Sequence, residues 1–343
     1  MKKSAVIPLM ALALLVPFGA VMGEEDRPAA VEEAPAGTYV YDNRASGLSM
    51  TIPGNRVENE KSGEAVYQAF LPDEGIVLSI LSRAYGQPYG MEKMKEQEKK
   101  AEQFLTESIA RSGEKKLSLK KVKTGAGTAL FAETTGQGKD GAFSVMRYLF
   151  LRQEGTAMIS FTMKEGDRKK NDPVVKQLMD TLTFYTPMQK VNVKGTPYTY
   201  DIPASMKVDY DPPVAPDHVL VAGNRLLMTG VVALPISENR EFSFLPSSLS
   251  HLSDGDKENV MAHFKSKLAG ESTGRYVENV KFLFGSFHGR DGLRLDFDDQ
   301  GDHNTSYIFV KDGKYISFDY IYNTKERDYA ERVMERSLES ISF

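Results

Sequence analysis

Residues 148–161 read YLFLRQEGTAMISF and residues 307–318 read YIFVKDGKYISF. Each stretch opens on an aromatic and apolar quartet, crosses a charged turn that contains Gly, and closes on Ile-Ser-Phe. Tyr148-Leu149-Phe150-Leu151 and Tyr307-Ile308-Phe309-Val310 put large apolar groups at consecutive positions, hence on both sides of a pleat. A strand that is apolar on both faces is normally covered on both. The pattern therefore predicts one hairpin at the centre of a sheet, written twice.

Outward from the hairpins the two halves keep the same order. Leu48-Ser49-Met50-Thr51-Ile52-Pro53 alternates apolar and polar, and Pro197-Tyr198-Thr199-Tyr200-Asp201-Ile202-Pro203 does the same, each ending at a Pro that cannot donate to a ladder. Further strands are expected over 66–71 and 76–81 in the first half and over 219–222 and 226–234 in the second. A helix follows in each. Ala101, Leu105 and Ile109 recur at i, i+4 and i+8, with Gly113 suited to a left-handed C-terminal position; Val260, Phe264 and Leu268 repeat the spacing, capped by Ser253 or Asp254 and stopped at Gly270. Strands over 128–134 and 292–298 then lead into the hairpins. Each half closes with a short helix, begun by Asp172-Pro173 in the first and by an Asn323/Glu326 capping box in the second.

Both halves thus read β-β-β-α-β-β-β-α, over residues 37–185 and 195–343, with 186–194 as linker. A repeat this long is a duplicated domain rather than a solenoid unit. The expected class is α+β: two tandem α/β/α sandwich domains, each a central antiparallel sheet with helices on both faces.

The chain has 343 residues, enough for two cores, with 41% hydrophobic and 26% charged residues. Lys2 and Lys3 precede an apolar run over 5–16, and Val21-Met22-Gly23 supplies small or tolerated residues where a signal peptidase cuts. The run is too short to span about 30 Å of hydrocarbon. Residues 1–23 are expected to be a cleaved signal peptide and 24–36, EEDRPAAVEEAPA, a disordered leader. The mature chain is then exported, periplasmic or extracellular, with no transmembrane span. Without Cys, thiol catalysis, thiolate metal sites and disulfides are excluded together.

The alternating strand ending in Ile-Pro, the charged helix after the third strand, the long hairpin and the closing helix before a Thr/Ser-Phe end resemble the PsbP/Mog1-like group. The resemblance covers both halves and is one of pattern, without a diagnostic motif. It implies non-enzymatic accessory proteins that bind protein partners. The group shares no catalytic residues, so none is carried over.

Direct readings of chemistry are sparse. Gly285-Ser286-Phe287-His288-Gly289 places its Ser one position early for a nucleophile elbow and reads as a turn with an exposed His. Gly125-Ala126-Gly127 precedes a strand, where no helix N-terminus can meet a phosphate. The five His (His218, His251, His263, His288, His303) lie in the second half without ligand spacing. The acidic run 296–302 makes Asp296, Asp298, Asp299 and Asp302 candidate oxygen ligands for Ca²⁺. Tyr307 stands where an EF-hand would need its bidentate carboxylate, and the bland reading is a solvated hairpin turn. The matching turn of the first half, 136–141, lacks these carboxylates.

Charge separates the halves. Residues 37–184 carry 22 Lys and Arg against 19 Asp and Glu, net +3, whereas 195–343 carry 16 against 23, net −7. Lys115, Lys116, Lys120, Lys121 and Lys123 cluster around one strand and are a candidate patch for anionic surfaces, or else a strand edge guarded by Lys. A pI near 5.9 argues against nucleic acid.

The leading expectation is a non-catalytic extracytoplasmic binding protein that engages a protein or envelope component, with no cofactor. The alternatives are a small-molecule or Ca²⁺ binder using an inter-domain cleft or the acidic turn, and an enzyme whose site is scattered through the sequence. Oligomeric state is left open.

Overall fold

The quoted hairpins occupy the middle of two seven-stranded antiparallel sheets with the same strand order. A computed structural model of the protein describes residues 37–59, 66–210, 212, 218–271 and 277–343. The expected signal peptide and leader, 1–23 and 24–36, lie outside the described residues.

The first half runs β1 (Thr38–Asn43), β2 (Leu48–Pro53), β3 (Val57–Glu58), β4 (Val66–Leu71), β5 (Ile76–Ala84), α1 (Met91–Arg111), β6 (Lys115–Thr124), β7 (Gly127–Gly138), β8 (Gly141–Leu151), β9 (Gly155–Lys164), α2 (Asp172–Asp180) and β10 (Thr183–Phe184). The second half runs β11 (Met188–Asn192), β12 (Thr199–Pro203), β13 (Lys207–Asp209), β14 (His218–Gly223), β15 (Leu227–Pro235), α3 (Asp254–Glu271), β16 (Val277–Phe287), β17 (Arg290–Asp299), β18 (Asp302–Lys311), β19 (Lys314–Asn323) and α4 (Arg327–Ser340). The sheets are ordered β3-β4-β5-β9-β8-β7-β6 and β13-β14-β15-β19-β18-β17-β16. Two compact units result. Among the described residues, one takes the chain from 37 through Arg83 with Glu96–Arg152 and Thr156–Tyr185; the other takes Ala84–Lys95, Gln153–Gly155 and Thr186–Phe343.

Strand period decides which side chains meet. On one face of the first sheet Met146, Phe150, Ile159 and Phe161 pack with Leu48, Met50 and Ile52 of β2 and with Val175, Leu178 and Met179 of α2. On the other face Leu105 and Ile109 of α1 meet Ala132, beside Leu119, Leu130 and Met158. The second sheet has the same layers. α4 (Tyr329, Val333, Met334, Leu338) and β12 cover Phe309, Ile316 and Phe318 on one face. Val260 and Phe264 of α3 cover Leu293, Leu295 and Ile308 on the other. Helices therefore lie on both faces of each central sheet, with a small extra sheet alongside one helix.

Several boundaries differ from the sequence reading. Met188–Asn192, assigned to the linker, is a strand that pairs with β12 along its whole length, as β1 pairs with β2. Its alternation is weak because only Val191 is buried. β6 and β16 were not counted in the repeated plan; both are edge strands broken by a register shift, which erases a simple alternation. α3 runs to Glu271, so Gly270 does not stop it, while Ser253 caps it by accepting from the Asp256 amide at 3.2 Å. Asn171, not Asp172, is the N-cap of α2. Asn323 caps a short 3-10 turn, Thr324–Glu326, that precedes α4.

One departure from symmetry has no signal of its own in the repeat. Between β15 and α3 the second half inserts residues 236–253, whose Phe242, Leu245 and Leu249 join the α3-side core. Phe242 stacks on Tyr315 of β19 with ring centroids 4.0 Å apart. In the first half the matching face holds a buried ion pair instead. Both nitrogens of the Arg147 fork donate to Glu114, each at 2.7 Å, and Thr134 donates to the same carboxylate.

Candidate binding site: a charged cleft at the edge of the second sheet

The β17–β18 turn is two residues, Gln300 and Gly301, both with positive φ (54° and 91°), as a tight hairpin requires. That turn sets the register, which places His303 opposite Asp298 and Thr305 opposite Asp296. Residues two apart on a strand share a face. Arg294, Asp296 and Asp298 therefore line up on one side of β17, the side of α4. Asn279 and Lys281 of β16 join them, with Arg327 and Glu331, one helical turn apart at the start of α4. Together with His303 these seven residues line a polar cleft of about 360 Å³.

Its floor is a chain of opposite charges. Arg294 Nε donates to Asp296 at 2.8 Å, and the Thr305 hydroxyl donates to Asp296 at 2.7 Å. The Asp298 carboxylate lies 2.5 Å from His303 Nδ1 and accepts from Asn279 Nδ2 at 2.6 Å. His303 Nε2 is 3.6 Å from Asp296, so both ring nitrogens face carboxylates, and the ring is only 10% exposed. The hydrogen bonds from Asn279 and then His303 hold the Asp298 carboxyl below its ordinary range. Burial alone would lower the Arg294 guanidinium; nearby Tyr307 and Asp296 outweigh it and leave the cation more firmly protonated. At the rim, Lys281 and Arg327 are exposed and make no ion pair within 4 Å among the described residues. The floor thus holds Asp296, Asp298, Arg294 and His303 in contact with one another, and the exposed rim carries Lys281, Arg327 and Glu331.

The structure divides the four candidate Asp residues. Asp296 and Asp298 belong to the cleft floor, whereas Asp299 and Asp302 face each other across the turn and share the opposite face. Among the described residues no three His, Asp or Glu side chains are placed to hold a metal ion. The five candidate lysines all sit, exposed, on edge strand β6, but on both of its faces. Lys116, Lys121 and Lys123 share the α1 side, where Lys121 pairs with Glu98 at 2.7 Å. Lys115 and Lys120 share the other, where Lys120 lies over Phe131. Ser286 and His288 fall at the β16–β17 turn, and His288 meets Glu335 at 3.0 Å. Gly125 and Ala126 form the β6–β7 turn.

Counting back from the matched turns, the first sheet has Glu133, Thr135, Gln137, Ala142 and Ser144 where the second has Arg294, Asp296, Asp298, His303 and Thr305. Glu133 there pairs with Arg168 at 2.7 Å. The cleft belongs to the second half alone. Sequence reading found Asp296 and Asp298 and missed Arg294, His303, Asn279, Lys281, Arg327 and Glu331. The available signal was the i, i+2, i+4 run Arg294-Asp296-Asp298, read as a strand face.

In fold the chain is similar to cyanobacterial PsbP. The solution structure of that protein (CyanoP) from Synechocystis sp. PCC 6803 aligns at 16% identity and TM-score 0.34, covering 45% of this chain and 91% of that one. A crystal structure from Bacteroides thetaiotaomicron VPI-5482 aligns at 15% identity and TM-score 0.32, covering 76% and 85%. Protein PA94 of Pseudomonas aeruginosa, of unknown function, aligns at 14% identity and TM-score 0.25, covering 43% and 96%. No family model matches the chain, and no curated protein matches it. These likenesses concern fold, and what the cleft does is read from its own residues.

Proposed function

We propose that this protein is an exported, non-catalytic binding module, in which the second domain engages an anionic feature of a protein partner in the cell envelope through the charged cleft. The observation that carries this reading is the contrast within the cleft. Asp296, Asp298, Arg294 and His303 are joined by hydrogen bonds and close contacts, while Lys281 and Arg327 stand exposed at the rim with no ion pair within 4 Å among the described residues. A hydrogen-bonded floor fixes geometry, and the two exposed cations at the rim supply attraction and orientation for a partner. The same sheet in the first half has none of these groups and serves as scaffold.

The test is affinity capture from a native envelope fraction. The full chain is compared with a Lys281→Glu/Arg327→Glu variant over a range of salt. The wild type should retain a partner that the variant loses, and capture should weaken as salt rises. No capture by the wild type at low salt, or equal capture by the variant, would overturn the reading. Export is tested by N-terminal sequencing of the secreted chain, which should begin near Glu24; an intact Met1 would refute it.

A further inference from the structure

The strand that borders the cleft has an open side. β16 is the last strand of its sheet, and among the described residues nothing pairs with its outer edge. Native proteins shield such edges with charge, Pro or short strands. The equivalent edge, β6, is guarded by its five lysines. β16 is eleven residues long, VENVKFLFGSF, with Glu278 and Lys281 its only charges. Leu283 is 56% exposed, the highest value among the exposed large apolar residues described. A methyl group added at Gly285 would meet nothing within 4 Å.

Backbone phase makes this edge usable. β16 and β17 are joined by a two-residue turn, His288 and Gly289, with φ of 50° and 76°. In such a hairpin the flanking pair, Phe287 and Arg290, is the hydrogen-bonded one, and pairs alternate from there. Gly285, Leu283 and Lys281 then point their backbone groups at β17. Phe282, Phe284 and Ser286 point theirs outward.

We infer that β16 is a strand-addition site for an extended segment of a protein partner. The segment pairs with residues 281–287, lays an apolar side chain on Leu283, and two residues away presents an acidic one to Lys281 and Arg327. Main-chain pairing supplies affinity and alternate side chains supply selectivity. Leu283 and Lys281 lie on the same face, that of the cleft, so both are read by one face of the added strand. A second copy of this chain fits poorly: the only acid on β16 is Glu278, and a two-fold ladder matching it to the partner copy's lysine would centre on the register shift between Glu278 and Lys281. The inference rests on the binding reading above and adds the mode of docking and the kind of segment.

The probe is a fluorescent nine-residue peptide alternating Val and Thr with one central Asp, titrated into the full chain by anisotropy. Saturable binding is expected, with slowed hydrogen exchange at the amides of Phe282, Phe284 and Ser286. Ser286→Pro removes an outward donor without touching the β17 ladder, and should weaken binding about tenfold. Lys281→Glu should weaken it by a similar factor, and N-methylation of alternate peptide amides should abolish it. No binding of the parent peptide, or binding indifferent to N-methylation and to Ser286→Pro, overturns the inference. If Ser286→Pro keeps the partner captured from the envelope fraction while Lys281→Glu/Arg327→Glu loses it, strand addition fails and the binding reading stands. A dimer in light scattering that Ser286→Pro dissociates would give the edge to a second copy and overturn the partner assignment.

Discussion

Replacing Arg147 by Met should unfold the first domain far more readily than its loss of size suggests. Arg147 and Glu114 are 8% and 7% exposed at their side chains and meet through two hydrogen bonds of 2.7 Å each. Removing the cation leaves a carboxylate out of water with only the neutral hydroxyls of Thr134 and Ser112 to satisfy it. Breaking a buried pair in this way costs about 3–5 kcal/mol. For a domain of this size that is a fall in Tm of roughly 6–20 °C. Removing every polar member together should cost little. Counting from the turns, Ala132 and Arg147 stand where the second sheet has Leu293 and Ile308, so this layer is apolar in one copy and ionic in the other. The triple variant Arg147→Ile/Glu114→Leu/Thr134→Val is expected within about 1 kcal/mol of the wild type. The chain has no Trp, and two domains need not unfold together, so the assay is hydrogen exchange by mass spectrometry in increasing urea, read separately over each domain. pH adds a signed check. Burial alone would raise the Glu114 carboxyl, but the hydrogen bonds and charge of Arg147 outweigh it and hold it low. A lowered folded pKa contributes stability above the ordinary carboxylate range and loses it as pH falls through the folded value. In Arg147→Met burial is opposed only by the Thr134 and Ser112 hydroxyls, the pKa moves up, and the deficit should shrink as pH falls. A single variant costing under about 1 kcal/mol, or a triple variant as unstable as the single, would refute the reasoning.

Four further outcomes are expected. Phe242→Ala removes the ring stacked on Tyr315 and should cost the second domain about 3–5 kcal/mol, with exchange rising over 236–253 and unchanged in the first domain. Gly292→Ala puts a methyl group 2.7 Å from the Ile308 carbonyl oxygen and 2.9 Å from the Phe309 ring, and urea unfolding should show a loss of about 1–3 kcal/mol; Gly285→Ala, its open neighbour across the ladder, should lie within about 0.5 kcal/mol of wild type. Asn279→Ala should raise the Asp298 pKa seen by carboxyl NMR, so that the acid-side loss of stability begins at higher pH than in the wild type. Calorimetric titration with Ca²⁺ should find affinity no better than about millimolar and unaffected by Asp302→Ala, because Asp296 is engaged by Arg294 and the acids face two ways.

The duplication, the central hairpins and both helix stripes were legible because each depends on local periodicity. Apolar groups at consecutive positions 148–151 and 307–310 announce strands covered on two sides, and Ala101, Leu105 and Ile109 announce a helix face, whatever lies against them. β1 and β11 were missed because a short strand with few buried residues has little pattern before its partner is known. The insertion at 236–253 was opaque for a related reason: Phe242, Leu245 and Leu249 have no strand or helix period, and only the face of the sheet they cover gives them a common direction.

At the cleft the division is sharper. Sequence by itself determined that 296–302 is acidic, that the second half alone carries this run, and that Asp296 and Asp298 share a strand face, since the pleat has a period of two. Only tertiary structure decided that Asp299 and Asp302 face away, that His303 sits between two carboxylates, and that Lys281 and Arg327 stand at the rim without an ion pair among the described residues. Those facts depend on register across β16, β17 and β18 and on where α4 begins. Register is set by a two-residue turn, and slipping it by one residue would send every one of these side chains to the other face.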